Sequence, residues 1–288
     1  MAIAELTSSV IVNADAMQVY ADLRIVTARP SLKEESRQPH ALFGHLDGAE
    51  VCSAAIWAAQ ARSAIAAARR DDRLPILVGG SGLYVKTLLD GIAPIPIIDP
   101  EVRRAVRAMP VAEAYAALAQ ADGQAAERLA PADTTRVARA LEVALSTGHP
   151  ISYWQQHMTG GIAGDVATNA VVLAPDRAAL NARIDARFDT IMDEGQAEVA
   201  ALIERRLDPR LPVMRAIGVR EIAAMLGGTA THDATRMAGR LASQRYAKRQ
   251  ATWFARQCPP EWQRAPCSIT AENAQELAIK LVFDALTA

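Results

Sequence analysis

Two short aliphatic runs, Val10-Ile11-Val12-Asn13 and Ile76-Leu77-Val78, constrain the fold more than any other feature of the sequence. Each is the uninterrupted β-branched or aliphatic stretch expected of a parallel strand buried on both faces. An Ala-rich segment from Cys52 to Arg70 lies between them and reads as a helix, with Ser53 in position to cap its N-terminus. The second run leads into the turn Gly79-Gly80-Ser81-Gly82, and LYVKTLL then begins another helix. Strand, helix, strand and helix in this order imply right-handed crossovers and a parallel sheet, so the expected class is α/β.

The stretch Ile92 to Pro100 has three prolines in nine residues and reads as a linker. Beyond it, Glu101 to Trp154 is expected to form several helices, broken near Pro110, Asp122-Gly123, Pro131 and Gly148-His149-Pro150. Ala170 to Pro175 reads as a strand again, which makes the helical segment an insertion between strands of one sheet. From Arg177 onward the chain is expected to be helical, with breaks at Asp208-Pro209, Gly227-Gly228 and Pro259-Pro260. The expected domains are a core of residues 1–99 and 166–288 and a helical insertion of residues 100–165.

Apolar residues make up 51 % of the 288, enough for a sizeable core. No apolar run approaches the roughly 20 residues that cross a bilayer, and MAIAELTSSV has no basic leader, so a cytoplasmic protein with no membrane partner is expected. Cys52, Cys258 and Cys267 form no C-x-x-C pair and read as free thiols. The net charge of −1 argues against a uniformly basic nucleic-acid binder, but the cations are unevenly placed. Between Arg205 and Arg256 there are eleven Lys and Arg against Asp208, Glu221 and Asp233, a pattern of either solvated helices or a phosphate-binding surface.

Ligands of an open parallel sheet sit beyond the carboxyl ends of its strands. Asp15 and Ser81 both follow strands and are expected to share one crevice. The GGSG turn is either a simple tight turn or an anion cradle at a helix N-terminus. Arg136 and Arg139 lie three apart on one helix face, and Arg215 and Arg220 flank Gly218. RYAKRQATWF, residues 245–254, interleaves cations with aromatic rings in a way that suits phosphates and stacked bases.

In order and spacing, NADAMQVY, TARPS, PHALFGHLD, LPILVGGSGLYVKTLLDG, DTTRVARALEV, LPVMRAIGVRE and RYAKRQATWF resemble the tRNA dimethylallyltransferases over nearly the whole chain. The resemblance implies a P-loop-type parallel core with an inserted helical domain for tRNA. It also implies transfer of a dimethylallyl group from dimethylallyl diphosphate to the exocyclic amine of the adenine 3′ of the anticodon. Asp15 is then the base, Ser81 a hydroxyl in the place of the family's threonine, and Arg215 a diphosphate ligand. Ala16, Met17, Gln18, Arg103, Thr135, Arg136, Arg139, Arg220, Lys248 and Arg249 are the implied tRNA contacts. A monomer working on a tRNA anticodon stem-loop, with Mg2+ on the diphosphate, completes the expectation; the chain offers no metal motif of its own.

The sequence also departs from the family. It contains no G-x-x-x-x-G-K-[ST], and Met1 to Leu6 looks like the middle of the helix that comes after that loop, so about thirty preceding residues are expected to be missing. A chain without them is expected to be poorly soluble and inactive, which leaves a tRNA-binding remnant as the alternative to an enzyme. Ala16 replaces a usual serine, and Cys52 and Val219 replace usual tyrosines. A P-loop kinase relative is a more remote reading, disfavoured by Asp15 and by RYAKRQATWF.

Overall fold

A computed structural model describes residues 1–267 together with Glu276, Ile279 and Lys280. The chain divides into two compact units, Met1–Leu88 with Asp165–Ala288, and Leu89–Gly164.

The first unit opens with α1 (Ala2–Leu6) and β1 (Ser9–Asn13), then α2 (Leu32–Arg37), β2 (His40–Ala41), α3 (Ala54–Arg70), β3 (Leu74–Val78) and α4 (Gly82–Asp90). The strands form a parallel sheet in the order β2-β1-β3, with Ile11 paired to His40 on one side and Ile76 on the other. As the middle strand, β1 buries Ile11, Val12 and Asn13, whereas Leu74 and Val78 at the ends of β3 are exposed. Ser53 caps α3, its hydroxyl accepting from the Ile56 amide at 3.2 Å. That helix buries Trp57, Ala61 and Ile65. The Trp57 indole stacks on Tyr84 of α4 at 4.9 Å and donates to the Asn13 carbonyl at 2.9 Å, tying α3, α4 and the end of β1 together.

The second unit contains α5 (Pro100–Ala108), α6 (Val111–Ala121), α7 (Gly123–Arg128), α8 (Thr134–Thr147) and α9 (Ile151–Gln155), with every break at a proline, glycine or aspartate anticipated from sequence. Val106, Ala114, Leu118, Val137, Ala140 and Leu141 form its own core. Buried Asp122 accepts from the amides of Ala125 and Ile151, which satisfies the starts of two helices with one carboxylate. The segment enters and leaves side by side: Ile92 and Thr159 exchange hydrogen bonds of 2.9 and 3.0 Å, and the Ala163 amide donates to the Leu89 carbonyl. Gly91, at φ +90°, and Gly161 have backbone where a Cβ would stand, so this neck requires glycine on both strands.

The chain then returns to the first unit through β4 (Val171–Pro175), α10 (Arg177–Glu194), α11 (Gln196–Glu204), a 3-10 turn (Val213–Arg215), α12 (Val219–Leu226), α13 (His232–Gln257) and β5 (Gln263–Cys267). Here two expectations are corrected. β4 does not rejoin the first sheet; it pairs in parallel with β5, Val171 opposite Gln263. The stretch after Pro259-Pro260 is this strand and not a helix. QRAPC contains a proline and polar residues, and its strand identity comes from its distant partner, not from local preference. The helix expected beyond residue 267 lies outside the described residues.

α13 is packed rather than freely solvated. Phe188 of α10 fills the space over Gly239, where a Cβ would strike its ring. Several cations of the Arg205–Arg256 stretch are neutralised within the unit. Arg205 pairs with Asp22 and Asp47, Arg210 with Asp208, Arg236 with Asp233, and Arg240 with Asp189. The basic surface is correspondingly narrower than the sequence alone suggests.

Candidate active site

β1 ends at Asn13, whose side chain shapes the turn beyond the strand. Its Oδ1 accepts from the Asp15 amide at 2.8 Å, while its Nδ2 donates to the carbonyls of Asp15 and Leu42. The Asp15 carboxylate closes the next turn, Oδ1 accepting from the amides of Met17 at 2.8 Å and Gln18 at 3.4 Å. The half-buried carboxyl group is thereby fixed in direction at the carboxyl edge of the sheet.

Ser81 joins this edge from β3. Its hydroxyl accepts from the Ala16 amide at 2.8 Å, and its own amide donates to the Ala14 carbonyl. The GGSG turn is therefore engaged by the protein itself. Gly79 lies against the Ala14 backbone, Gly80 against Gln250, and Gly82 against the Trp253 ring, with no room for a Cβ at any of the three. Gln250 donates to the Gly80 carbonyl at 3.0 Å. Tyr246 reaches the same cluster: burial, and then the nearby Asp15 charge, push its pKa up, while the Ser81 and Gln250 side chains act to lower it, so the phenol stays neutral. Arg249 lies over the Tyr246 ring, 5.5 Å from its centroid.

One further cation faces this cluster. Arg187 of α10 donates to the Val26 carbonyl at 3.2 Å, and crowding by surrounding protein lowers its pKa while the Asp15 charge opposes that shift. The guanidinium remains charged in either case. Arg187 also lines a cavity of about 390 Å³ with Arg24, Ile25, Ala28, Arg29, Ser31, Thr190 and Ile191.

Of the residues singled out from sequence, Asp15, Ala16, Met17, Gln18 and Ser81 come together here, with Arg249 beside them. The Gln18 amide nitrogen is occupied, donating to the carbonyls of Thr27 and Ala28 at 3.0 Å, with Ala28 in the left-handed region at φ +52°. Arg215 and Arg220 are exposed at the 3-10 turn and the start of α12, with no side-chain partner among the described residues, and Lys248 is exposed on α13. Arg103, Thr135, Arg136 and Arg139 belong to the helical unit; Asp133 caps α8 and holds Arg136 at 3.2 Å. Tyr246, Gln250 and Arg187 were not among the expected site residues. Tyr246, Gln250 and Trp253 fall at i, i+4 and i+7, a spacing that puts them on one helix face. Arg187 sits in a helix without any motif.

Magnesium does not fit a protein-built site here. Among the described residues there is no group of three His, Cys, Asp or Glu side chains able to hold a metal ion, and the cluster offers one carboxylate with hydroxyls. His40 and His45 are occupied locally, by the Gln38 carbonyl and by Gln60. Among the described residues no helix is long and apolar enough to cross a membrane.

Residues 18–257 match the family model described as IPP transferase. Over 283 residues the chain is 55 % identical to a tRNA dimethylallyltransferase of Sphingopyxis alaskensis, covering 98 % of this chain and 92 % of that protein. It is 54 % identical over 268 residues to the protein of the same name from Novosphingobium aromaticivorans, covering 93 % and 95 %. Among solved structures, the tRNA isopentenylpyrophosphate transferase of Bacillus halodurans superposes with a TM-score of 0.68 at 27 % identity, over 98 % of this chain and 89 % of that one. A eukaryotic dimethylallyltransferase acting on tRNA superposes with a TM-score of 0.84 over 99 % of this chain and 75 % of that one; at 22 % identity this likeness speaks to the fold alone.

Proposed function

Because the chain belongs to the IPP transferase family, we propose that it transfers a dimethylallyl group from dimethylallyl diphosphate to the exocyclic amine of the adenine 3′ of the anticodon in tRNA. The observation that carries this reading is the oriented Asp15 carboxylate at the sheet edge, with the Ser81 hydroxyl and the neutral Tyr246 phenol beside it.

The exocyclic amine is a weak nucleophile, since its lone pair is delocalised into the ring, whereas the allylic carbon ionises readily. Transfer forms a nitrogen–carbon bond, breaks the carbon–oxygen bond to diphosphate and releases one proton from the amine. Asp15 takes that proton. One of its oxygens is held by two amides, which supports a fixed carboxylate whose other oxygen takes the proton. Taking the adenine out of its stack is the precondition for reaching it, and Met17 and Gln18, next to Asp15 in the chain, are the residues proposed to meet it. Cations offset the charge gathering on departing diphosphate. Arg187 and Arg249 stand beside the cluster, and Arg215 is exposed and unpaired among the described residues, available to a ligand. A magnesium ion accompanying the diphosphate, as the family implies, would supply further charge neutralisation. Cytoplasmic action as a monomer belongs to the same proposal.

The test is transfer of labelled dimethylallyl to tRNA by the wild-type chain and by Asp15→Asn. Turnover is expected to fall by about 10²–10⁴-fold, the usual loss for a general base, with tRNA affinity nearly unchanged. Equal loss of binding and turnover would make Asp15 structural. A chain that binds tRNA and transfers nothing would be a binding module instead of an enzyme.

A further inference from the structure

The helical unit contains a charge arrangement that the transfer reaction does not use. Glu142 on α8 is 1 % exposed, yet it carries a carboxylate into the contact between α8 and α5. Three arginines surround it. Arg107 Nε donates to Oε1 at 2.7 Å, Arg103 Nε lies 3.9 Å from Oε2, and Arg139 Nη1 lies 3.8 Å from Oε2. Oε2 itself accepts no hydrogen bond. The guanidinium side chains stay 45 %, 64 % and 42 % exposed for Arg103, Arg107 and Arg139.

A lone carboxylate among three cations leaves a net positive centre. Desolvating it is costly unless its partners are held in place. The carboxylate neutralises at most one guanidinium, so two positive charges remain, and three partly exposed forks gather around the same buried oxygen pair. That geometry matches a phosphate group, which takes forked donors from one side. Independent surface arginines would each lose side-chain freedom on meeting a phosphate; arginines already drawn together by one buried charge lose less.

We propose that Glu142 is a positioning residue, a buried anchor that sets Arg103, Arg107 and Arg139 as one preformed receptor for a backbone phosphate of the RNA substrate. This rests on the proposed tRNA substrate and adds the element that organises the cationic surface.

The two explanations of Glu142 predict opposite signs. If it only adds negative charge near the RNA, Glu142→Gln tightens binding. If it positions the arginines, the same change weakens it. The experiment measures the affinity of the full chain for an unmodified anticodon stem-loop transcript across a salt series, with melting temperature read in parallel. Glu142→Gln is expected to weaken binding about five- to tenfold, and Arg103→Ala or Arg139→Ala to reduce the log–log salt slope by about 0.7–0.9 per lost phosphate contact. Tighter or unchanged binding by folded Glu142→Gln overturns the proposal. Should that variant not fold, Arg103→Ala, Arg139→Ala and their double decide: coupled losses support a common anchor, and additive ones overturn it. If the wild type binds the RNA and none of the arginine changes matters, the receptor is wrong while the transferase reading stands. If the wild type does not bind the RNA, both fail together.

Discussion

Gly82 shows how tightly the candidate site is specified at the level of single residues. The Trp253 ring occupies the place where its Cβ would be, so Gly82→Ala must displace either the start of α4 or the indole. The expected cost is about 1–3 kcal/mol of stability in denaturant unfolding, the usual penalty of overpacking. Trp253→Leu in the same chain should return part of it; a Gly82→Ala protein as stable as wild type would show that the ring is not seated there. Asp15 and Ser81 were legible because ligands gather at strand ends, a rule that needs only the sequence order of strand and turn. Tyr246 and Gln250 stand in a segment whose cations and rings suit surface binding equally well, so only the i, i+4, i+7 face that they share with Trp253 marks them as facing the turn. Arg187 left no trace, because its meaning depends on a neighbour more than a hundred residues away.

Secondary-structure elements were readable wherever a local stop enforced them. Pro110, Asp122 and Gly148 end α5, α6 and α8 where the sequence says they should, and Ser53 begins α3. The partner of β4 was not readable, since strand pairing is settled by tertiary packing and β5 has weak intrinsic preference. The same distinction applies to α10, which carries Arg187 and begins at a local signal, Asp176. Its carboxylate accepts from the amides of Ala179 and Ala178, and these hold its pKa below the ordinary 3.8. A lowered folded-state pKa means that this stabilisation is complete above the ordinary carboxylate range and disappears as pH falls through the lowered value. Asp176→Asn keeps an acceptor for the cap but cannot take up a proton. The melting temperature of wild type relative to this variant should therefore decline between pH 7 and pH 3. A difference that stays level with pH would remove Asp176 from the acid response of the helix.

For the molecule as a whole, the helical unit has its own buried core and a neck that brings its two ends together, which are the conditions for independent folding. A fragment of residues 89–164 is expected to be helical by circular dichroism and to melt cooperatively; a non-cooperative, coil-like fragment would show that its core depends on the rest of the chain. The other unit assembles on a different schedule. Among the described residues the three strands of its first sheet lie before residue 79, but the GGSG turn is closed by Gln250 and Trp253, and β4 waits for β5. During synthesis, these three strands and the helical insert leave the ribosome long before α13 does. A nascent chain stalled in between would hold the acid and the hydroxyl in place with the turn still open to solvent, so the site is acquired in the last part of translation.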